Sequence, residues 1–107
     1  MNLNQRIYAR ALELTNVFPL NKGNYASDKD GNNVYWGSPE AACFCTAGYI
    51  KRAALDLKES GTFAVEAMVQ SMFPRSFDHP PLTLGKWNDA PERTIEDVRD
   101  ALRKMAA

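Results

Sequence analysis

Ser38-Pro39-Glu40-Ala41-Ala42-Cys43-Phe44-Cys45-Thr46-Ala47-Gly48-Tyr49-Ile50-Lys51-Arg52-Ala53-Ala54-Leu55-Asp56-Leu57 is the stretch on which the reading of the fold turns. Ser38 can accept from free amides at a helix start, Pro39 presets the first turn, and Glu40 complements the helix dipole. These signals predict a helix from Pro39 to about Leu57. Its apolar residues wrap widely around the axis, so this element is predicted to be the central one. Gly48 inside it costs about 1 kcal/mol relative to alanine, and a glycine so placed marks a second backbone passing close by. On such a helix Cys43 and Cys45 diverge by roughly 200°, which argues against an internal disulfide.

Toward the amino terminus, apolar residues at Leu3, Ile7, Ala11 and Leu14, broadened by Tyr8 and Leu12, have the spacing of an amphipathic helix. Asn2 or Asn4 is its expected cap, and Thr15-Asn16 with Pro19 its expected end. Between Lys22 and Trp36, Asp28-Lys29-Asp30-Gly31 separates two short segments with aromatic or β-branched residues, and the expected structure is a small hairpin. The Asp-x-Asp-Gly-Asn run lacks the bidentate glutamate and flanking helices of a calcium loop, and turn chemistry accounts for it.

Toward the carboxyl terminus, Ser60-Gly61-Thr62 is predicted to start a third helix from Phe63 to about Met72, with Met68 and Met72 as core filling. Pro74, Pro80 and Pro81 make the segment from Pro74 to Pro81 a loop, and Leu82 to Leu84 is read as a brief strand. Thr94 caps a fourth helix, with Asp97 in the capping-box position and Ile95, Val98, Leu102 and Met105 on one face. The expected architecture is therefore a single α+β domain over residues 1–107, predominantly helical, of four helices and one β-hairpin. The helix from Pro39 is expected to pack between the first and the last.

Thirteen basic and thirteen acidic residues cancel. Acidic side chains are interleaved with Arg6, Arg10, Arg99, Arg103 and Lys104, so the pattern argues against nucleic acid. No apolar run approaches the ~20 residues that span a bilayer, and the amino terminus lacks the apolar core of a signal peptide. A cytoplasmic, membrane-free setting is the expectation.

Lys22-Gly23 with Asp28-Lys29-Asp30-Gly31, then Phe44-Cys45-Thr46-Ala47-Gly48 with Arg52-Ala53, then Lys86-Trp87-Asn88-Asp89-Ala90-Pro91 with Arg93-Thr94 occur in this order. Together they resemble a family of small uncharacterised proteins of bacteria and their phages, classed as a domain of unknown function. Phe44 stands where that family commonly has a tryptophan, and Tyr49 where it commonly has an alanine. The resemblance implies a cytosolic setting, a phage-borne one included, and carries no activity.

Two groups of residues are functional candidates. Cys45, in the first turns of the predicted central helix, has a dipole that can lower a thiol pKa. His79 is the sole histidine and thus its only imidazole base, with Asp89 or Asn88 as orienter. The competing reading makes Cys45 a small core hydrophobe. Two cysteines and one histidine do not close a zinc site without a carboxylate, and no metal or cofactor is expected.

The second group is aromatic. Tyr25, Tyr35, Trp36, Phe77 and Trp87 are expected at the surface, and Trp36, Tyr35, Trp87 and Arg93 are the candidate binding residues. For Trp87-Asn88-Asp89 a structural role competes: a buried indole, Asn88 or Asp89 on backbone amides, and an Arg93–Asp89 pair. Arg52 is expected on a solvated face, or else paired with Asp56 or Asp89. The function expected is that of a small protein-binding accessory or inhibitor, with an action against a host defence system as one form. A thiol-dependent enzyme using Cys45 with His79 is the alternative, and a homodimer is admitted as one form of partner.

Overall fold

A computed structural model of the chain describes residues 1–74 and 83–107. His79 and Phe77, and most of the Pro74–Pro81 loop, lie outside the described residues. Among the described residues there are five helices and two short strands: α1 (Leu3–Leu14), β1 (Ala26–Ser27), β2 (Cys43–Phe44), α2 (Thr46–Asp56), α3 (Thr62–Met72), α4 (Leu84–Asp89) and α5 (Ile95–Ala106). The fold is α+β and mainly helical, with one more helix than the four expected.

Helix α1 starts as its sequence predicts. Asn2 caps it in a full capping box with Gln5, so two otherwise unpaired amides are satisfied by side chains. Its buried stripe of Ile7, Tyr8, Ala11 and Leu14 lies between α2 on one side and α5 on the other. The centre of the molecule is therefore α1, not the helix that follows Pro39. Tyr8, fully buried on this stripe, donates its hydroxyl to the Ala64 carbonyl of α3 at 2.5 Å.

Helix α2 begins at Thr46 rather than Pro39. Ser38 Oγ does accept from the Glu40 amide at 3.1 Å, and the Ala41 amide donates to the Ser38 carbonyl at 3.2 Å, so the predicted start signal forms a turn. The chain then runs extended because distant backbone captures it. The Ala42 amide donates to Ser27 at 2.8 Å, Phe44 to Pro19 at 3.2 Å, and Cys45 to Tyr25 at 3.1 Å. These pairs, with Phe44 fully buried and edge-on to Phe18 at 5.1 Å, override the local helix preference. The two cysteines consequently share no helix: Cys43 lies on β2 and Cys45 is the N-cap of α2.

The turn at Asp28 forms where expected. Asp28 Oδ1 accepts from the amides of Asp30 and Asn32, each at 2.9 Å, and Gly31 takes a positive φ of 85°. The return segment bridges Ser27 to Asn33, but β1 makes its main antiparallel ladder with β2, Ala26 opposite Phe44 and Ser27 opposite Cys43. The β element thus joins distant segments more than it forms a local hairpin.

Leu84, read from sequence as part of a brief strand, opens α4. Thr83 caps that helix by accepting from the Lys86 amide at 3.1 Å. Helix α5 carries the predicted Thr94–Asp97 capping box and buries Val98 and Leu102, each contributing roughly 1.5–3 kcal/mol. Among the described residues, no helix is long and apolar enough to cross a membrane.

Candidate functional site

One face of α2 organises an aromatic surface of the molecule. Gly48, Lys51, Arg52 and Leu55 recur at helical spacing on that face, and each meets the segments that carry Tyr25, Tyr35 and Trp36. A Cβ at Gly48 would collide with the carbonyl oxygen of Tyr25, so the glycine is the close approach its sequence position predicts. Arg52, expected on a solvated face, is half-buried: its Nη1 donates to the carbonyls of Trp36 at 3.0 Å and Ser38 at 3.2 Å, and its Nε lies 3.4 Å from Asp56. Gly37 lets the chain turn tightly, since a Cβ there would lie 2.5 Å from the Tyr35 ring and 2.6 Å from Leu55.

The aromatic side chains are thereby held by their backbones. Tyr25 and Trp36 meet edge to face at 5.3 Å, and Tyr35 tilts against Trp36 at 4.7 Å. The Lys51 ammonium lies over both the Trp36 ring, at 5.0 Å, and the Tyr25 ring, at 5.7 Å. Tyr35 is 58% exposed and Tyr25 45% exposed, whereas Trp36 is half-buried. With Asn33 and Val34 they line a groove of about 280 Å³.

A second depression adjoins the first, because Tyr25 and Asn33 line both. It is a cleft of about 590 Å³ walled mainly by apolar groups, Val65 and Val69 from α3 and Leu84 from α4 among them, with Cys45 and Asp89 also in its lining. Two of the three proposed catalytic residues are therefore brought together, and His79 lies outside the described residues. The thiol is not activated in the expected way. Burial pushes the Cys45 thiol above its ordinary range, and the Asp89 charge adds to this, while the Gly48 and Ala47 amides pull it down. Burial outweighs the helix N-terminus, and Sγ serves as the cap of α2, accepting from the Gly48 amide at 3.3 Å.

The Trp87–Arg93 segment is engaged internally. Arg93 stacks over the Trp87 ring at 4.1 Å, donates to the Trp87 carbonyl at 2.9 Å and lies 3.7 Å from Asp97, so its carboxylate partner is Asp97 and not Asp89. Asp89 accepts instead from the Gly23 amide at 3.0 Å. Asn88 is fully buried. Its Oδ1 accepts from the Thr46 amide at 2.8 Å and the Thr46 hydroxyl at 2.7 Å, and its Nδ2 donates to the Asn21 carbonyl at 2.9 Å. Among the described residues no group of three His, Cys, Asp or Glu side chains is arranged to hold a metal ion.

Sequence reading missed Lys51 and Gly37 as parts of the aromatic site. Gly48 gave a usable signal, and the spacing of Gly48, Lys51, Arg52 and Leu55 would have given another had the partner of that face been known. Fold and site together define a small α+β domain that presents an aromatic groove from one face of a half-buried helix. A family model described as a family of unknown function (DUF6197) matches residues 4–107, and the chain belongs to that family. No curated protein and no solved structure matches the chain.

Proposed function

We propose that the chain is a small protein-binding module, an accessory or inhibitor, that engages its partner through the groove of Tyr25, Tyr35 and Trp36. The observation that carries this reading is the cluster of exposed Tyr25 and Tyr35 with half-buried Trp36 beneath Lys51, fixed from behind by Gly48 and Arg52. Aromatic side chains so held lose little conformational entropy on binding and supply large contact area. The resemblance to proteins of bacteria and phages suits such a role, an action against a host defence system being one form of it. A thiol reaction at Cys45 has weaker support, because burial keeps the thiol protonated near neutrality.

The test is site-specific photocrosslinking in bacterial cells, with a photoreactive phenylalanine analogue at position 35 and, as control, at position 103 on α5. The expected result is one dominant adduct from position 35 that disappears with Lys51→Glu and is absent from position 103. Equal labelling from the two positions, or none from position 35, would overturn the reading.

A further inference from the structure

The chain has 6 glycines, and all but Gly85 have a reason in the backbone or the packing. Gly23 and Gly31 take positive φ values of 96° and 85°, and a Cβ at Gly37, Gly48 or Gly61 would crowd a neighbouring side chain or backbone. Gly85 lies in α4, where glycine is unfavourable relative to alanine, and a Cβ added there meets nothing within 4 Å. What Gly85 does border is the cleft of about 590 Å³. A missing side chain at that wall keeps the space open.

The cleft has the size of a small-molecule site, which runs to roughly 300–1,000 Å³. Ala47 of α2, Val65 and Val69 of α3 and Leu84 of α4 contribute apolar walls from three elements, and hydrocarbon buried against them is favoured in proportion to its area. Among the described lining residues, Asp89 is the one charged side chain. Its Oδ1 accepts from the Gly23 amide at 3.0 Å and from the side-chain amide of the fully buried Asn88 at 3.1 Å. The carboxylate is thus held by one oxygen, while Oδ2 accepts from no described residue. Lys22 does not neutralise it by contact, because that ammonium donates to the Ala90 carbonyl at 2.7 Å.

A fixed carboxylate beside apolar walls complements a ligand with a hydrocarbon body and a cationic group, since an ammonium and a carboxylate form a charge-assisted hydrogen bond. Asp89 is itself exposed, so an ammonium bound to it keeps contact with water and loses little hydration. An anionic ligand would meet the Asp89 charge with no cation among the described lining residues to offset it.

We propose that the cleft between α2, α3 and α4 binds a small amphipathic amine, its apolar body against Val65, Val69 and Leu84 and its ammonium on Asp89, with Gly85 leaving room for it. The site is distinct from the aromatic groove, with which it shares Tyr25 and Asn33 among the described residues. A neutral apolar molecule is the competing occupant.

The experiment titrates the full chain, labelled with ¹⁵N, with naphthylmethylamine, naphthylmethanol and naphthoate, which share one ring system, and with methylamine as a cation without an apolar body. Amide shifts of residues 65–69 and 84–89 are read. The expected result is saturable binding of naphthylmethylamine, at least about fivefold weaker binding of the alcohol and the carboxylate, and no saturation with methylamine. Asp89→Asn keeps an acceptor for the Gly23 amide and should abolish the preference for the amine over the alcohol. Gly85→Leu should unfold at the same or a higher urea concentration than the parent chain and lose amine affinity by about tenfold or more. Absence of saturation with the amine, binding of the alcohol, the carboxylate or methylamine as tight as that of the amine, a preference retained in Asp89→Asn, or undiminished binding by Gly85→Leu would each overturn the proposal. A Gly85→Leu chain that no longer folds would overturn the role given to Gly85, and Asp89→Asn then decides the site.

Discussion

At the scale of single residues, Asn88 does more for the fold than its sequence neighbours. It is a fully buried amide that joins the first turn of α2, the Asn21 carbonyl and α4. Burying an amide is tolerable only when its groups are paired, and here the pairing also satisfies a free amide at the start of α2. Asn88→Ala should therefore lower stability by about 2–4 kcal/mol, because it strands the Thr46 amide and the Asn21 carbonyl. Asp89→Ala, which removes an exposed bond to the Gly23 amide, should cost about 1 kcal/mol or less. Urea unfolding of the two variants checks this, and equal losses would show that Asn88 is not the clamp. Cys45 gives a second prediction at this scale. Buried and pushed toward its protonated form, it should react with iodoacetamide at neutral pH more slowly than the half-buried Cys43. The difference should vanish in denaturant, and early labelling of Cys45, read by mass spectrometry of the peptides, would revive the thiol reading.

At the scale of elements, what the sequence reveals depends on whether an element is held by its own residues. Helices α1 and α5 carry capping boxes built from residues three apart, and both are legible from spacing alone. The start of α2 is not, because the extended run before it is stabilised by amides and carbonyls 15 or more positions away, at Ser27, Pro19 and Tyr25. No local pattern reports such pairing. Helix α4 is hidden for a related reason: it is six residues long, follows a proline-rich stretch, and owes its place to Leu84 and Asn88 packing on distant segments. Of the aromatic site, Tyr25, Tyr35 and Trp36 were legible as ring-bearing residues, whereas their assembly by α2 was not. The Asp97 carboxylate of the α5 box is held below its ordinary 3.8, first by the Thr94 amide and then by the Thr94 side chain and Arg93. A depressed carboxylate contributes stability that is fully present above the unfolded-state pKa and lost as pH falls through the folded one. Asp28 is depressed likewise, chiefly by the Asn32 amide. The urea midpoint should thus be flat near neutrality and fall below about pH 4, and Asp97→Asn should make that fall shallower. An unchanged acid slope in Asp97→Asn would contradict the assignment.

At the scale of the whole molecule, a chain of charged contacts runs from the central helix to the aromatic groove. Arg10 on α1 lies 3.1 Å from Asp56 of α2, Asp56 lies 3.4 Å from Arg52, and Arg52 donates to the carbonyl of Trp36. The outer links are half-exposed and contribute little to global stability, since solvent screens them. The inner link is different, because a guanidinium gathers two carbonyls of one loop and fixes the direction in which Trp36 leaves it. Lysine retains the charge but not the planar fork, so Arg52→Lys separates the two roles. It should cost no more than about 1–2 kcal/mol in urea unfolding, yet broaden the Trp36 indole signal and raise amide exchange through residues 35–38. The Arg99 contacts to Thr15, at 3.1 Å to its hydroxyl and 2.8 Å to its carbonyl, serve as the comparison, since they join α5 to the end of α1 far along the chain from the groove. Arg99→Lys should lower stability comparably and leave the Trp36 signal unchanged. If both variants disturb Trp36 alike, the groove is shaped by overall packing and not by Arg52. If only Arg52→Lys does, partner affinity should fall with the order of that loop and not with the stability of the fold.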